Sequence, residues 1–280
     1  MNIAILLSPS KTQYFINQAY INYVAESGLQ PICIVPAGSI DEQLKNVDGL
    51  MIPGGIDLDP MYYGYDNDSS IDVDPARDAF EREVFHKFRE SGRPIFGICR
   101  GFQLIIRELL AHDLSMSKYM HYAQHVDKHQ QGSQQLQRSV TQHFVNFRPD
   151  LLYGEEDRKE YVKPVNSMHH QGVIVNFKDE KIRGFRAFRM AAWTDRGVHY
   201  SKDAPHAVVC EAFRILNWGA PILAVQWHPE ELVDKELIGN FFRGTGNTNY
   251  DHIQTIENTP NNYKVTKKMV DDSLKTKRVN

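Results

Sequence analysis

Along the first hundred residues, short apolar runs alternate with segments whose apolar residues recur every three to four positions. This is the pattern of strands alternating with helices in a parallel sheet covered on both faces. Residues 2–7 (NIAILL) predict a buried strand. From Thr12 to Ser27, the residues Phe15, Ile16, Ala19, Tyr20, Tyr23 and Val24 share one helical face, and Gly28 is a suitable stop. PICIVP at 31–36 predicts a second strand, Asp41 caps a short helix over 42–46, and GLMIPGG at 49–55 predicts a third strand ending in two glycines. Asp74 and Pro75 open a helix with apolar positions Ala79, Phe80, Val84, Phe85 and Phe88, closing at Gly92. PIFGIC at 94–99 predicts a fourth strand that runs straight into the helical pattern of Phe102 to Leu110.

Between residues 111 and 160 the chain is polar and rich in Gln and His, and loops with antiparallel excursions are expected there. Three strands follow at 182–194, 206–215 and 220–227, then a helix over 231–242. From Gly244 to Asn280 the residues turn to Asn, Thr, Lys and Asp, too polar to bury much surface. The expected organisation is one α/β domain over residues 1–243 and a polar tail over 244–280, with a marginal helix at 264–276.

Composition narrows the function classes. A chain of 280 residues, 41% hydrophobic, can bury a self-sufficient core, which excludes disorder for most of its length. Lys and Arg number 32 against 35 Asp and Glu, a formal net charge of −3, so neither nucleic acid nor an anionic membrane is an expected partner. No apolar run approaches the roughly 18 residues of a membrane span. The amino terminus, MNIAILLSPSKTQYF, lacks the charged region and small-residue cleavage site of a signal peptide, so a cytoplasmic location is expected. The cysteines Cys33, Cys99 and Cys210 are too few and too far apart for a disulfide framework, and their odd number leaves at least one thiol free.

One of these thiols stands in a chemical context. Gly97-Ile98-Cys99-Arg100-Gly101 lies where an apolar strand meets a helix, the layout of a nucleophile elbow. Glycines two residues either side let the backbone turn sharply, and the positive end of the helix dipole favours a thiolate. A buried structural thiol is the other reading of Cys99, and the preferred one for Cys33 and Cys210, which lack such a turn. A thiolate nucleophile needs a histidine and a group to orient it. His228-Pro229-Glu230 follows the strand APILAVQW, and in extended chain residues i and i+2 point the same way. A helix start with Glu230 in its first turn explains the same residues. Pro53-Gly54-Gly55-Ile56-Asp57 ends the third strand and reads either as a source of oxyanion-binding N–H groups or as a plain tight turn. His121, His125 and His129, four apart, would line up as a metal-binding stripe on a helix, but the helical periodicity is weak. No metal is expected; His121 is read as lining the pocket, the other two as solvated.

Taken in order, Gly54, Gly55, Asp57, Pro60, Tyr63 and Gly64, then Arg77-Asp78 with Glu81, then Cys99-Arg100-Gly101-x-Gln103, then Asn166-Ser167-x-His169-His170-Gln171, then Gln226-Trp227-His228-Pro229-Glu230 form a long ordered set. The set resembles the class I glutamine amidotransferase-like proteins. The CRG elbow and the NSxHHQ segment resemble the gamma-glutamyl-gamma-aminobutyrate hydrolase branch in particular, over about residues 1–243. The resemblance implies a flavodoxin-like three-layer αβα sandwich with a mostly parallel central sheet, and a Cys-His-Glu triad. Cys99 would attack the γ-carbonyl of a γ-glutamyl amide to give a thioester, His228 would move the proton, and Glu230 would orient the imidazole. Backbone N–H groups of Gly55 and Arg100 would hold the oxyanion, while Gln103 and the segment Ser167, Met168 and His169 would grip the glutamyl α-amino and α-carboxylate. No cofactor is implied. The partners implied are a small γ-glutamyl substrate, with a separate synthetase if the chain is an ammonia-delivering glutaminase subunit, and a homodimer is admitted. A non-catalytic binding protein on the same fold is the third reading. Two departures bear on substrate identity. The Gly-Gly-Thr-Leu stretch usual after the catalytic helix is replaced by Leu104 to Asp113, and an insertion separates Asp195-Arg196-Gly197 from Val209-Cys210-Glu211-Ala212.

Overall fold

In the computed structural model the first strand, β1 (Asn2–Leu6), shows why its sequence is apolar throughout: Ile3 and Ile5 face one core and Ala4 and Leu6 the other. The structure describes residues 1–63, 66–67, 70, 72–112, 117, 120–123, 125–127, 129, 137–155, 157–176, 188–195 and 207–244. All fall within the unit Met1–Thr248. The polar tail beyond Gly244, the helix expected at 264–276, residues 182–187 of the first late strand, His206 of the second, and Arg196-Gly197 lie outside the described residues.

After β1 come the short strands β2 (Ser8–Pro9) and β3 (Tyr14–Phe15), helix α1 (Gln18–Glu26), β4 (Gln30–Ile34), α2 (Ile40–Gln43) and β5 (Gly49–Ile52). Next stand α3 (Pro75–Ser91), β6 (Ile95–Ile98), α4 (Arg100–His112), β7 (Met120–Ala123), β8 (His143–Phe147) and α5 (Pro149–Leu152). The rest is β9 (Tyr161–Val165), β10 (Gly172–Asn176), β11 (Phe188–Thr194), β12 (Ala207–Trp218), β13 (Ala220–Val225), α6 (Pro229–Leu232) and α7 (Lys235–Arg243). Strands β4, β1, β5, β6 and β13 form the parallel centre of an 11-stranded sheet. Beyond β13 the sheet continues antiparallel through β12, β11, β8 and β9, with β10 and β7 branching from β12.

Helices cover both faces of the parallel centre. Phe80, Val84, Phe85 and Phe88 of α3 and Phe102, Ile105, Ile106 and Leu109 of α4 pack in the core that holds Leu50 and Ile52. On the other face, Tyr20, Tyr23 and Val24 of α1 and Leu237, Ile238, Phe241 and Phe242 of α7 pack with Met51, Phe96 and Ile98. The three-layer arrangement and its parallel central sheet are those the resemblance implies, and the antiparallel excursions expected between residues 111 and 160 are β7 and β8. Among the described residues no helix is long and apolar enough to cross a membrane.

Several boundaries differ from expectation for local reasons. Helix α1 begins at Gln18, not Thr12, because Asn17 caps it by accepting from Ala19 N at 3.0 Å, while Tyr14–Phe15 pairs with Ser8–Pro9. Helix α2 is capped by Ser39 and starts before Asp41. The single helix expected over 231–242 is two, separated at Val233, which is left-handed at φ 55°, and Asp234 caps the second. Helix α3 matches expectation, with Asp74 as cap and Gly92 left-handed at its end. Cys33, read as a buried structural thiol, is exposed because β4 is an edge strand; Cys210 is buried in β12.

Candidate active site

Strand β6 ends at Ile98 and α4 begins at Arg100, so Cys99 makes the whole turn between them. It does so at φ 52°, a left-handed conformation that costs an L-residue about 1–2 kcal/mol. Its N–H reaches Val225 O at 2.8 Å, extending the β6–β13 ladder, while its carbonyl accepts from Gln103 N at 3.1 Å and opens α4. One residue thus belongs to both elements. Gly101 permits this packing, since a Cβ there would run into the carbonyl of Ile52.

His228 caps α6 and Glu230 lies in its first turn, yet Glu230 Oε1 is 2.7 Å from His228 Nδ1. Both sequence readings of His-Pro-Glu therefore hold at once. Nδ1 being engaged, Nε2 is the ring nitrogen left for Cys99, whose sulfur helps to raise the imidazole pKa. Cys99, His228 and Glu230 are all buried. Burial by itself lowers the imidazole pKa, but the charge of Glu230, followed by that of the Cys99 sulfur, overrides it and holds the ring up to about 10. The backbone of His228 is clamped as well: Asn166 Nδ2 donates to its carbonyl and Asn166 Oδ1 accepts from its N–H, both at 3.0 Å.

Above the thiol runs the Gly54-Gly55 turn. Gly54 N–H donates to Tyr20 Oη at 3.0 Å, and that hydroxyl lies 3.5 Å from His228 Nδ1. A Cβ at position 54 would sit 2.6 Å from Tyr20 Oη and 3.0 Å from His228 Cε1, so only glycine fits. With the N–H of Gly54 taken, Gly55 is the glycine left to donate. Across from it, Arg100 N–H is the first of α4 and has no carbonyl four residues back within the helix. Buried charges lock both donors in place. Arg77 Nη2 donates to Gly54 O at 3.0 Å and Arg77 Nε to Glu81 Oε1 at 2.7 Å, while the Arg100 guanidinium pairs with Glu81 and Asp78.

The residues expected to grip a glutamyl group are less uniform. Gln103 is buried, its amide nitrogen 3.4 Å from Gln171 O and 3.5 Å from Gln226 Oε1. Ser167 and His169 point inward: the Ser167 hydroxyl donates to His129 O, and His169 Nδ1 to Gln171 O at 2.8 Å. The Ser167 hydroxyl and His169 Nδ1 are thus matched within the protein. Met168 is half-buried. The histidine stripe fails. Met120–Ala123 is a strand with His121 exposed, His125 is exposed, and His129, expected to be solvated, is fully buried against His143, His169 and Glu211.

Tyr20 and Asn166 were not among the sequence candidates. Tyr20 is spaced like a core residue of α1, and nothing local signals its hydroxyl. Asn166 belongs to the NSxHHQ segment, but its partner lies 62 residues on.

Residues 7–230 match the Peptidase C26 family. The glutamine amidotransferase-like protein YvdE of Lactococcus lactis subsp. lactis is 29% identical over 244 residues, covering 82% of this chain and 89% of that protein. The gamma-glutamyl-gamma-aminobutyrate hydrolase PuuD of Escherichia coli is 30% identical over 96 residues, 32% of this chain and 37% of PuuD. Among solved structures, the glutaminase domain of Trypanosoma brucei CTPS with bound acivicin superposes with a TM-score of 0.52 at 14% identity, covering 89% of this chain and 95% of that one. That likeness is one of fold.

Proposed function

The chain belongs to the Peptidase C26 family, and is a hydrolase of the glutamine amidotransferase-like kind; from that premise we propose that it cleaves a γ-glutamyl amide through a thioester on Cys99. The Cys99 sulfur attacks the γ-carbonyl as a thiolate, forming a C–S bond while the carbonyl electrons move to oxygen. Gly55 and Arg100 N–H groups receive that oxyanion. The tetrahedral species collapses, His228 gives its proton to the departing amine, and the γ-glutamyl thioester remains. A water molecule then loses a proton to His228 and attacks the thioester, and glutamate leaves as the thiol re-forms. Glu230 keeps the imidazole turned so that Nε2 serves the sulfur. Gln103, Met168 and the main chain around Ser167 and His169 face the glutamyl end of the substrate.

The observation that carries this reading is a cysteine held left-handed at a strand–helix junction, beside a histidine that is itself 2.7 Å from a buried carboxylate. The test is a panel of small γ-glutamyl amides, glutamine included, incubated with the purified protein alone while glutamate release is followed. Release from at least one, with loss of about a thousandfold or more in Cys99→Ala, is the expected result. Turnover unchanged in Cys99→Ala would remove the assignment. Silence until a second protein is supplied would transfer the same half-reaction to an ammonia-delivering subunit.

A further inference from the structure

Where β8 and β12 meet His129 and His169, three imidazoles surround a single carboxylate. His143 Nε2 lies 3.0 Å from Glu211 Oε1, His129 Nδ1 lies 3.1 Å from the same oxygen, and His169 Nε2 lies 3.8 Å from it. His129 Nδ1 and His169 Nε2 are 3.3 Å apart. All four side chains are buried, His129 and Glu211 completely. The catalytic proposal uses neither His129, His143 nor Glu211.

We propose that His129 Nδ1, His169 Nε2 and Glu211 Oε1 bind a divalent transition-metal ion, with His143 hydrogen-bonding the carboxylate. Geometry is the first support. Ligand bonds of about 2.0–2.1 Å at tetrahedral angles put donor atoms about 3.3–3.4 Å apart. The three edges here are 3.1, 3.3 and 3.8 Å, so the atoms already bracket a common centre. Donor state is the second. His169 Nδ1 donates to Gln171 O at 2.8 Å, which fixes the tautomer that leaves Nε2 as a lone-pair donor, the backbone anchoring usual for a metal-bound histidine. The third support is an imbalance. Three ring nitrogens crowd one oxygen of Glu211, while Oε2 of the same carboxylate and Nδ1 of His143 are buried with no hydrogen-bond partner among the described residues. A buried carboxylate with one oxygen unmatched is costly, and a cation on its other oxygen offsets the charge.

Two histidines and one carboxylate form a set that suits zinc and also other divalent ions of the first transition row. The ion takes the position of the proton that His129 Nδ1 shares with Glu211, and that proton leaves to solvent. Such an ion would tie His129, β12 and the segment 166–171, whose Asn166 clamps His228, into one unit. Its role is therefore structural support beside the active site, separate from the thiol chemistry.

The full-length protein, stripped with a chelator, is titrated with Zn²⁺ against a chromophoric competitor. One ion per chain is expected, with affinity falling at least tenfold in Glu211→Gln and in His129→Ala, about ten- to hundredfold in His143→Ala, and unchanged in Cys99→Ser. Because the buried variants could misfold, the unmutated protein is also loaded with Co²⁺ and with Zn²⁺. Visible ligand-field bands for cobalt, and X-ray absorption reporting two imidazoles with oxygen on zinc, support the site. Absence of uptake by the folded wild-type chain overturns it. So does uptake that Glu211→Gln and His129→Ala leave intact, or a thiolate-to-cobalt band abolished by Cys99→Ser.

Discussion

A cysteine at φ 52° is strained by about 1–2 kcal/mol, and the strain persists because two regular elements meet on that one residue. The imidazole beside it is set by charge. Its pKa is held at about 10, above the ordinary value of 6.5, so the ring stays protonated across neutral pH and loses its proton as pH rises through about 10. The stability that this charged ring contributes is fully present below about 6.5 and disappears over the same alkaline interval. For catalysis the expectation is a kcat/KM that is level through neutral pH and declines towards pH 10. Glu230→Gln removes the strongest influence raising the ring, so the alkaline decline moves to lower pH and kcat drops by about a hundred- to ten-thousandfold. A pH–rate profile of the two proteins checks this, and an alkaline limb that Glu230→Gln leaves in place would mean the carboxylate does not govern the ring. Cys99, His228 and Glu230 were legible because their chemistry is local: a turn between glycines, and two side chains two residues apart. Tyr20, Asn166 and the His129–Glu211 contact were not, since each acquires its partner only when distant strands come together.

At the scale of elements, α3 and α4 are joined by charge where their ends approach the glycine turn. Arg100, buried at the start of α4, pairs with Glu81 and Asp78 of α3, and Arg77 of α3 holds Gly54 O. Asp78 shows the tension. Its burial raises the carboxyl pKa, and the Arg100 charge offsets that only in part. Removing Arg100 leaves buried Asp78 without its cation and Glu81 with Arg77 alone, so Arg100→Met is expected to cost about 3–5 kcal/mol in denaturant unfolding, whereas its backbone N–H remains. A loss below 1 kcal/mol would show that the network is dispensable. Periodicity revealed α3 to the residue, because Asp74, Pro75 and Gly92 are local caps. It misplaced the start of α1 and merged α6 with α7, because Asn17 and Asp234 act as caps only once the chain around them has turned.

The molecule as a whole is two kinds of sheet joined at β13, parallel to β6 on one side and antiparallel to β12 on the other. Cys99 leaves the parallel half at the end of β6, and His228 follows the strand at the junction. Sulfur and imidazole are therefore brought together by the paired strands β6 and β13, and β13 is held from its other side by the antiparallel half. Asn166, just beyond β9 in the antiparallel half, makes both backbone hydrogen bonds to His228. It acts as a positioning residue that transmits the placement of the antiparallel half to the base. Asn166→Ala leaves the buried His228 N–H unmatched, whereas its carbonyl keeps the Glu231 N–H at 3.3 Å, a cost of about 1–3 kcal/mol in unfolding free energy. A purely structural role would lower the melting temperature and spare the kinetics of the protein that stays folded. The expectation here is different: at a temperature where the variant is folded, kcat falls at least tenfold with KM little changed, and the rate of thiol alkylation at Cys99 changes its pH dependence. A variant that melts earlier but keeps kcat and its alkylation profile would mean that β13 alone fixes His228, and that the antiparallel half contributes nothing to the chemistry beyond its share of the core.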